Sequence, residues 1–392
     1  MRALLIVFLK ELMENARDRR TMLSALVLGP LGAPLLFTIM MNAMIERGRD
    51  RAEHPLELTV AGRAGAPNLV AFLEREGVHL RDFSGSAADA PDAVRRRTAR
   101  LVLVIPPEFG ARFTDARPAR VLLYADASDT SAGSDRSRAE ALLRGYAHQI
   151  ATWRLEARGI APTVAQPVVV DEIDVSTPAA RAVSVLGMLS YFIVFATLMG
   201  GLYVAIDTTA GERERGSLEP LLTVPVSRSA LVAGKILAAS AYMALSLALT
   251  VLAFAACLRF LRLDALGMAL EIGPAVALGI FAVMLPFVLL GASLMTIVAS
   301  FTRSYREAQS WLAGVILVPT VPIIFAAVSQ VEARTDLMWI PSLSQHLLIG
   351  TLLKGEPLHP LDVAISMLAT LGVGALLALV AMRLYEREKI LG

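Results

Sequence analysis

Long uncharged apolar runs alternate with short polar segments along most of this chain, and one wide interval breaks that rhythm. Thr21 to Met44, Ala182 to Ile206, Ile236 to Leu258, Ile272 to Thr302, Ala308 to Val331 and Val363 to Met382 contain no Asp, Glu, Lys or Arg. Each reaches the roughly 20 residues that cross a ~30 Å hydrocarbon core. The pattern therefore predicts a polytopic α-helical membrane protein with six transmembrane helices. The first is bent around Gly29-Pro30 and Gly32 to Pro34, and the fourth is kinked at Pro286. Leu337 to Leu353 is also uncharged but shorter, and opens on Trp339 and Pro341. It reads as an outer interfacial or re-entrant segment, 337–353, rather than a full span.

The interval between the first two spans, 45–181, has a different texture. Apolar runs shorten to strand length and alternate with helical patterns. Strands are expected at 56–62, 78–83, 101–106, 121–126 and 168–175, and helices at about 67–76, 90–99 and 134–158, with a short helix after Pro107. This alternation predicts an inserted α/β domain. The helix at 134–158 is expected to be capped by Ser134 or Asp135. Asp126 and Asp129 lack the glycine and distal glutamate of a calcium loop, and no metal site is expected. Ahead of the first span, residues 1–20 place Leu5, Phe8, Leu9, Leu12 and Met13 at helical spacing. Lys10, Glu11, Glu14, Arg17 and Asp18 fall largely on the other side. This is the pattern of an amphipathic helix at the membrane interface.

Composition agrees with the membrane reading: 55% of the 392 residues are hydrophobic, 18% are charged, and the mean hydropathy is +0.59. A formal net charge of +2 offers no argument for nucleic-acid binding. The single cysteine, Cys257, excludes an intrachain disulfide. Placement of the basic residues matters more than their sum. Lys10, Arg17, Arg19 and Arg20; Arg213, Arg215, Arg228 and Lys235; Arg303 and Arg306; and Arg383, Arg387 and Lys389 fall on one side of a six-span topology. By the positive-inside rule both termini are cytoplasmic, and the α/β domain is extracytoplasmic.

No catalytic constellation is present. Gly211 to Ser217, GERERGS, approaches the glycine spacing of a phosphate loop but has no lysine, and its carboxylates would repel phosphate. The five histidines are scattered, and no H-E-x-x-H or G-x-S-x-G motif occurs. The spans carry hydroxyls such as Ser190, Thr197, Ser246, Thr250, Ser293 and Thr296 but no mid-membrane charge to hold a coupling ion. These hydroxyls are expected to bond helix to helix. If the chain moves something uphill, a partner must supply the energy. The place for one is the polar stretch 207–235. Ser217 can cap a helix beginning LEPLL, with Glu219 and Pro220 in its first turn, and Ser227 or Ser229 can cap the next helix. Such a helix, fixed to two spans, can transmit a push. A solvated loop with anchoring arginines has the same local pattern.

The stretch GERERGSLEPLLTVPVSRSALVAGKILA resembles the permease subunits of type-2 ABC exporters, in particular the NatB-like sodium-extrusion family. There E-R-E-x-G-[ST]-L-E is followed by L-L-x-x-P-[VI]-[ST]-R and then G-K. KELMENARDRRTM resembles that family's start, and IPSLSQHLLIGTLLKGE resembles its outer segment, with Ser344 where the family often has asparagine. The resemblance implies a non-catalytic permease subunit in a bacterial cytoplasmic (inner) membrane. A separate ATP-binding subunit would bind ATP and Mg, this chain holding no cofactor, and two copies of each would assemble, with membrane lipids around them. It further implies a coupling segment carried by Glu212, Arg213, Glu214, Arg215, Gly216, Ser217, Leu218, Glu219, Leu221, Leu222, Pro225 and Arg228. Glu212, Glu214 and Glu219 are the residues expected to meet the ATPase. A membrane receptor or scaffold sensing a ligand through the α/β domain is the alternative, although no cytoplasmic signalling domain accompanies it.

Overall fold

The computed structural model describes residues 2–129, 132–165, 168, 173, 176–185, 187–217, 220, 225–261, 263, 268–329 and 331–386. It divides into two compact units, Met1–Met44 with Val175–Gly392, and Ile45–Asp174.

The first unit is helical. Helix α1 (Arg2–Arg17) leads into α2 (Arg19–Leu23), a π-turn at Ser24–Leu28, and α3 (Gly29–Glu53), which runs past the unit boundary. Among the described residues six helical stretches are long and apolar enough to cross a membrane: Thr21–Arg47, Leu189–Glu214, Arg228–Phe260, Pro274–Ser300, Tyr305–Ser329 and Pro360–Glu386. The second is the most enclosed, with 72% of its apolar window buried against 17% for the last. Close approach explains why. A Cβ at Gly200 would stand 2.3 Å from the Cβ of Ser246, and one at Gly201 would stand 2.4 Å from Met243 Cγ. Two glycines thus let the second and third spans meet backbone against side chain. Phe37 closes the bundle on another side, edge-on to Phe192 and Phe254 at centroid distances of 5.5 and 5.6 Å.

The outer surfaces are apolar. Val318, Val321 and Phe325 on the fifth span, and Leu368, Leu376 and Leu379 on the last, are exposed. Contiguous apolar surface of this kind is what a lipid-facing or partner-facing helix presents. Most intramembrane hydroxyls bond within their own helix instead of to a neighbour: Thr197, Thr250 and Thr296 each donate to the carbonyl four residues back, at 2.7 to 2.8 Å. Ser246 Oγ, donating to Ala196 O at 3.2 Å, does cross between helices. The expected helix-to-helix bonding is thus corrected for these threonines, whose hydroxyls reach their own preceding turn more readily.

The second unit is built on a four-stranded sheet of β1 (Glu57–Ala61), β2 (His79–Asp82), β3 (Leu101–Val104) and β4 (Leu122–Ala125) in the order β2-β1-β3-β4. β1 runs parallel to β2 and β3, and β4 is antiparallel to β3. The intervening helices are α4 (Pro67–Arg75), α5 (Ala90–Arg95) and α6 (Phe109–Thr114), and α7 (Gly133–Glu156) follows β4. Period-two alternation along β3 sends Leu101 and Leu103 to a core with Leu69, Leu73 and Tyr146, and Val102 and Val104 to one with Ala90 and Val94. Both faces are therefore covered, as parallel pairing requires. The cap expected for the long helix is corrected: α7 begins at Gly133, with Ala132 at the cap position and no side-chain cap bond. The strand expected at 168–175 falls largely outside the described residues.

Candidate functional site

The second apolar helix does not end where its apolar run ends. After α8 (Pro178–Val185), α9 (Leu189–Ile206) continues through a π-turn at Asp207–Gly211 into a last helical turn, α10 (Glu212–Glu214). The π-turn redirects hydrogen bonds, so that the Glu212 N–H reaches Asp207 O, five residues back, and Thr209 O. Lys235 of the next helix, α11 (Arg228–Cys257), donates to the Thr208 carbonyl at 2.8 Å. Its Nζ also lies 2.6 Å from Glu212 Oε2, an ion-pair contact without hydrogen-bond alignment, and 3.2 Å from Glu11 Oε1. Lys235, Glu11 and Glu212 are 2%, 2% and 5% exposed.

A lysine with two carboxylates buried this deeply is not a source of stability by itself, since desolvation offsets most of the attraction. It fixes geometry: three elements, α1, the end of the second span and the start of the third, are locked at one point. Gly234, beside the lysine, permits the approach, because a Cβ there would lie 2.6 Å from Val7 Cγ1. Tyr242 Oη adds a bond to Leu12 O at 3.0 Å. At the rim, Lys10 pairs with Glu14 at 2.8 Å and Glu11 at 3.1 Å. Burial works against the Lys10 charge. The hydrogen bond it donates to Glu14 and the charges of Glu11 and Glu212 outweigh it and hold its pKa above the usual lysine value. The same bond to Lys10 holds the Glu14 carboxyl below the usual carboxylate value.

Helix α1 is therefore turned with part of its polar stripe inward. Val7, Glu11 and Asn15 are buried, whereas Leu5, Ile6, Leu9 and Met13 are exposed. Residues 7, 11 and 15 share one face at four-residue spacing.

The rest of the expected segment is distributed around this lock. Arg213 donates to Thr302 O at 2.9 Å, and exposed Glu214 accepts from the Tyr305 N–H at 2.6 Å. Both tie α10 to the junction of α12 (Pro274–Ser300) and α13 (Tyr305–Ser329). Arg215 pairs with Asp207 at 2.7 Å. Gly216, at φ +67, ends the helix: its N–H bonds Arg213 O and the Ser217 N–H bonds Glu212 O, both at 3.0 Å. This is a Schellman stop, with the glycine where a left-handed residue is needed. Ser217 Oγ also donates to Glu212 O. Leu218, Glu219, Leu221 and Leu222, and with them the helix expected at LEPLL, lie outside the described residues. Pro225 is exposed; Ser227 occupies the N-cap position of α11 without a side-chain cap bond, and Arg228 donates to Tyr385 O at 3.4 Å. Tyr385 belongs to α15 (Pro360–Glu386), and its hydroxyl accepts from Ser300 Oγ at 3.0 Å. Four basic segments of the sequence thus converge at one end of this unit.

Sequence reasoning had not singled out Glu11 or Lys235 as partners. The available signal was a lysine at the very edge of an apolar run, preceded by a polar stretch with surplus carboxylates.

A second polar cluster is free of charge. Helix α14 (Leu343–Lys354), at 12 residues, is too short to span. Its Gln345 Nε2 donates to Ser366 Oγ and Thr370 Oγ1 on α15, at 3.2 and 2.8 Å. Gln345 Oε1 accepts from the Ser342 N–H at 2.6 Å, at a residue held at φ +69. Ser366 Oγ donates to Ser344 Oγ at 2.8 Å, and His346 Nδ1 shares a hydrogen bond with Ser190 Oγ.

Comparison with known proteins agrees with this architecture. The family described as ABC-2 family transporter protein matches residues 20–383. The chain is also 28% identical over 357 residues to the ABC transporter permease protein NatB of Bacillus subtilis (strain 168), covering 89% of each sequence.

Proposed function

The chain belongs to the ABC-2 family of transporter proteins, and from that premise we propose that it is the membrane permease of an ABC exporter driven by a separate ATP-binding subunit. Residues 207–235 form the coupling segment in this reading, with a short helix around Ser217 to Leu222 docking on the ATPase. The buried Glu11–Glu212–Lys235 lock is the observation that carries it. A push on the segment reaches α1 and two spans through one rigid point, and reaches the α12–α13 junction through Arg213 and Glu214. Glu212 acts inside this lock, and Glu214, still exposed, remains with Glu219 a contact for basic residues of the partner.

The convergence of basic segments at one end supports a cytoplasmic placement of both termini and of the coupling segment in a bacterial inner membrane, with the α/β unit outside. The outward apolar side chains of α1 support its lying in the interface. Exposed apolar surfaces on α13 and α15 suit lipids and a second copy of the chain in a homodimer.

The test is reconstitution with the ATP-binding subunit. The purified chain alone neither binds nor hydrolyses ATP, and the paired complex hydrolyses it with substrate efflux. Tight nucleotide binding by the chain alone, or efflux without the second subunit, contradicts the reading.

A further inference from the structure

In the Ile45–Asp174 unit, α6, the loop that follows it and α7 enclose a cavity of about 450 Å³, within the ~300–1,000 Å³ range of small-molecule sites. Its floor is apolar and buried, from Leu69, Phe109 and Tyr146. Its polar lining is of one sign. Arg117, Arg154 and Arg158 contribute guanidinium groups, and none of the lining residues is acidic. Arg154 is fixed in the wall, 4.7 Å over the Phe113 ring with Nη2 donating to Phe113 O at 2.6 Å. Exposed Arg117 and Arg158 have no ion-pair partner among the described residues.

The backbone at the mouth is also unusual. Ala116 sits at φ +55, a left-handed conformation that L-residues avoid, and turns the chain so that Arg117 and Pro118 join the lining. The turn is the helix stop of α6: the Ala116 N–H bonds Phe113 O at 3.2 Å and the Arg117 N–H bonds Arg112 O at 2.9 Å, which fixes where Arg117 leaves the helix.

We propose that this cavity binds a single-chain anionic amphiphile, an acyl chain carrying a carboxylate, with the chain on the Leu69–Phe109–Tyr146 floor and the carboxylate at the arginines. The fork of an arginine matches a carboxylate in two parallel hydrogen bonds. An apolar cavity without charge would accept a neutral amphiphile equally well; the one-sided charge selects the anion.

The experiment uses the full chain in nanodiscs of zwitterionic lipid, with a photoactivatable dodecanoic acid and the corresponding dodecanol as probes and mass spectrometry to map the labels. The acid is expected to label α6 and α7 saturably, and the alcohol to bind there roughly tenfold more weakly or less, as loss of a charge-assisted hydrogen bond implies. Ala151→Trp, which fills the mouth, abolishes that labelling. Arg117→Glu with Arg158→Glu weakens it roughly tenfold, while Arg117→Lys with Arg158→Lys retains most of it. Should Ala151→Trp fail to fold, the charge reversals, made on exposed side chains, decide alone. Equal labelling by acid and alcohol, labels confined to the membrane helices, or indifference to charge reversal overturns the proposal.

Discussion

Two polar clusters interrupt the apolar interior of the helical unit, and they solve the same problem with different chemistry. At Glu11, Glu212 and Lys235 full charges are buried and paired, with Lys10 at the rim as the second cation for the two carboxylates. At Ser344, Gln345, Ser366 and Thr370, joined by the Ser342 N–H, an amide and hydroxyls bond one another without any charge. An ion cluster is costly to break but sharply defined in geometry. A neutral network is cheaper, and holds a short helix that apolar contacts alone would let slide. The difference teaches where the chain needs a fixed point: beside the polar segment where force is proposed to enter, and less stringently at the far end, where α14 must stay tucked against α15.

Replacing Lys235 tests the contrast most severely. Lys235→Met leaves two buried carboxylates with only Lys10, at the rim, as a cation, and the expected loss is about 3–5 kcal/mol, read as a collapse in folded yield or thermal midpoint in detergent. Adding Glu11→Gln and Glu212→Gln should recover much of it. A single Lys235→Met variant as stable as the wild type would show that the cluster is not closed. Gln345→Leu comes next: it strips partners from the Ser342 N–H, Ser366 and Thr370, for about 1–3 kcal/mol by the same measurement. If it cost as much as Lys235→Met, the distinction between charged and neutral clusters would fail. Glu214→Ala removes an exposed cap on the Tyr305 N–H, and its effect on the midpoint should stay within about 1 kcal/mol, even where ATP-driven efflux falls.

The spans were legible because an uncharged run of sufficient length has few other uses, and six such runs correspond to the six apolar helices. The strands of the Ile45–Asp174 unit lie inside the runs that alternation indicated, since a buried strand such as Leu101–Val104 has no other way to place both faces. Three features were hidden. The helix continuing through Asp207–Gly211 to Glu214 was obscured because dense charge reads locally as a loop. Lys235, brought back by the next helix, with Lys10 beside it, makes burial of Glu212 tolerable. The inward polar face of α1 was hidden for a related reason: periodicity separates two faces but does not say which medium each meets. The Schellman stop at Gly216 was half visible, as a glycine beside a serine, with the serine read as the start of the next helix. Its amide finishes the preceding one, and the helix expected after it lies outside the described residues.

The central claim is that the segment around Ser217 is where a separate ATPase meets this chain. In a Cys257→Ser background, Ser217→Cys and Glu356→Cys can each be challenged with a short bifunctional cross-linker in membranes containing the ATP-binding subunit. Glu356 lies between α14 and α15, at the other end of the last span. The account predicts a cross-link from Ser217→Cys to the ATP-binding subunit, altered by ATP, and none from Glu356→Cys. A cross-link from Glu356→Cys without one from Ser217→Cys would contradict it.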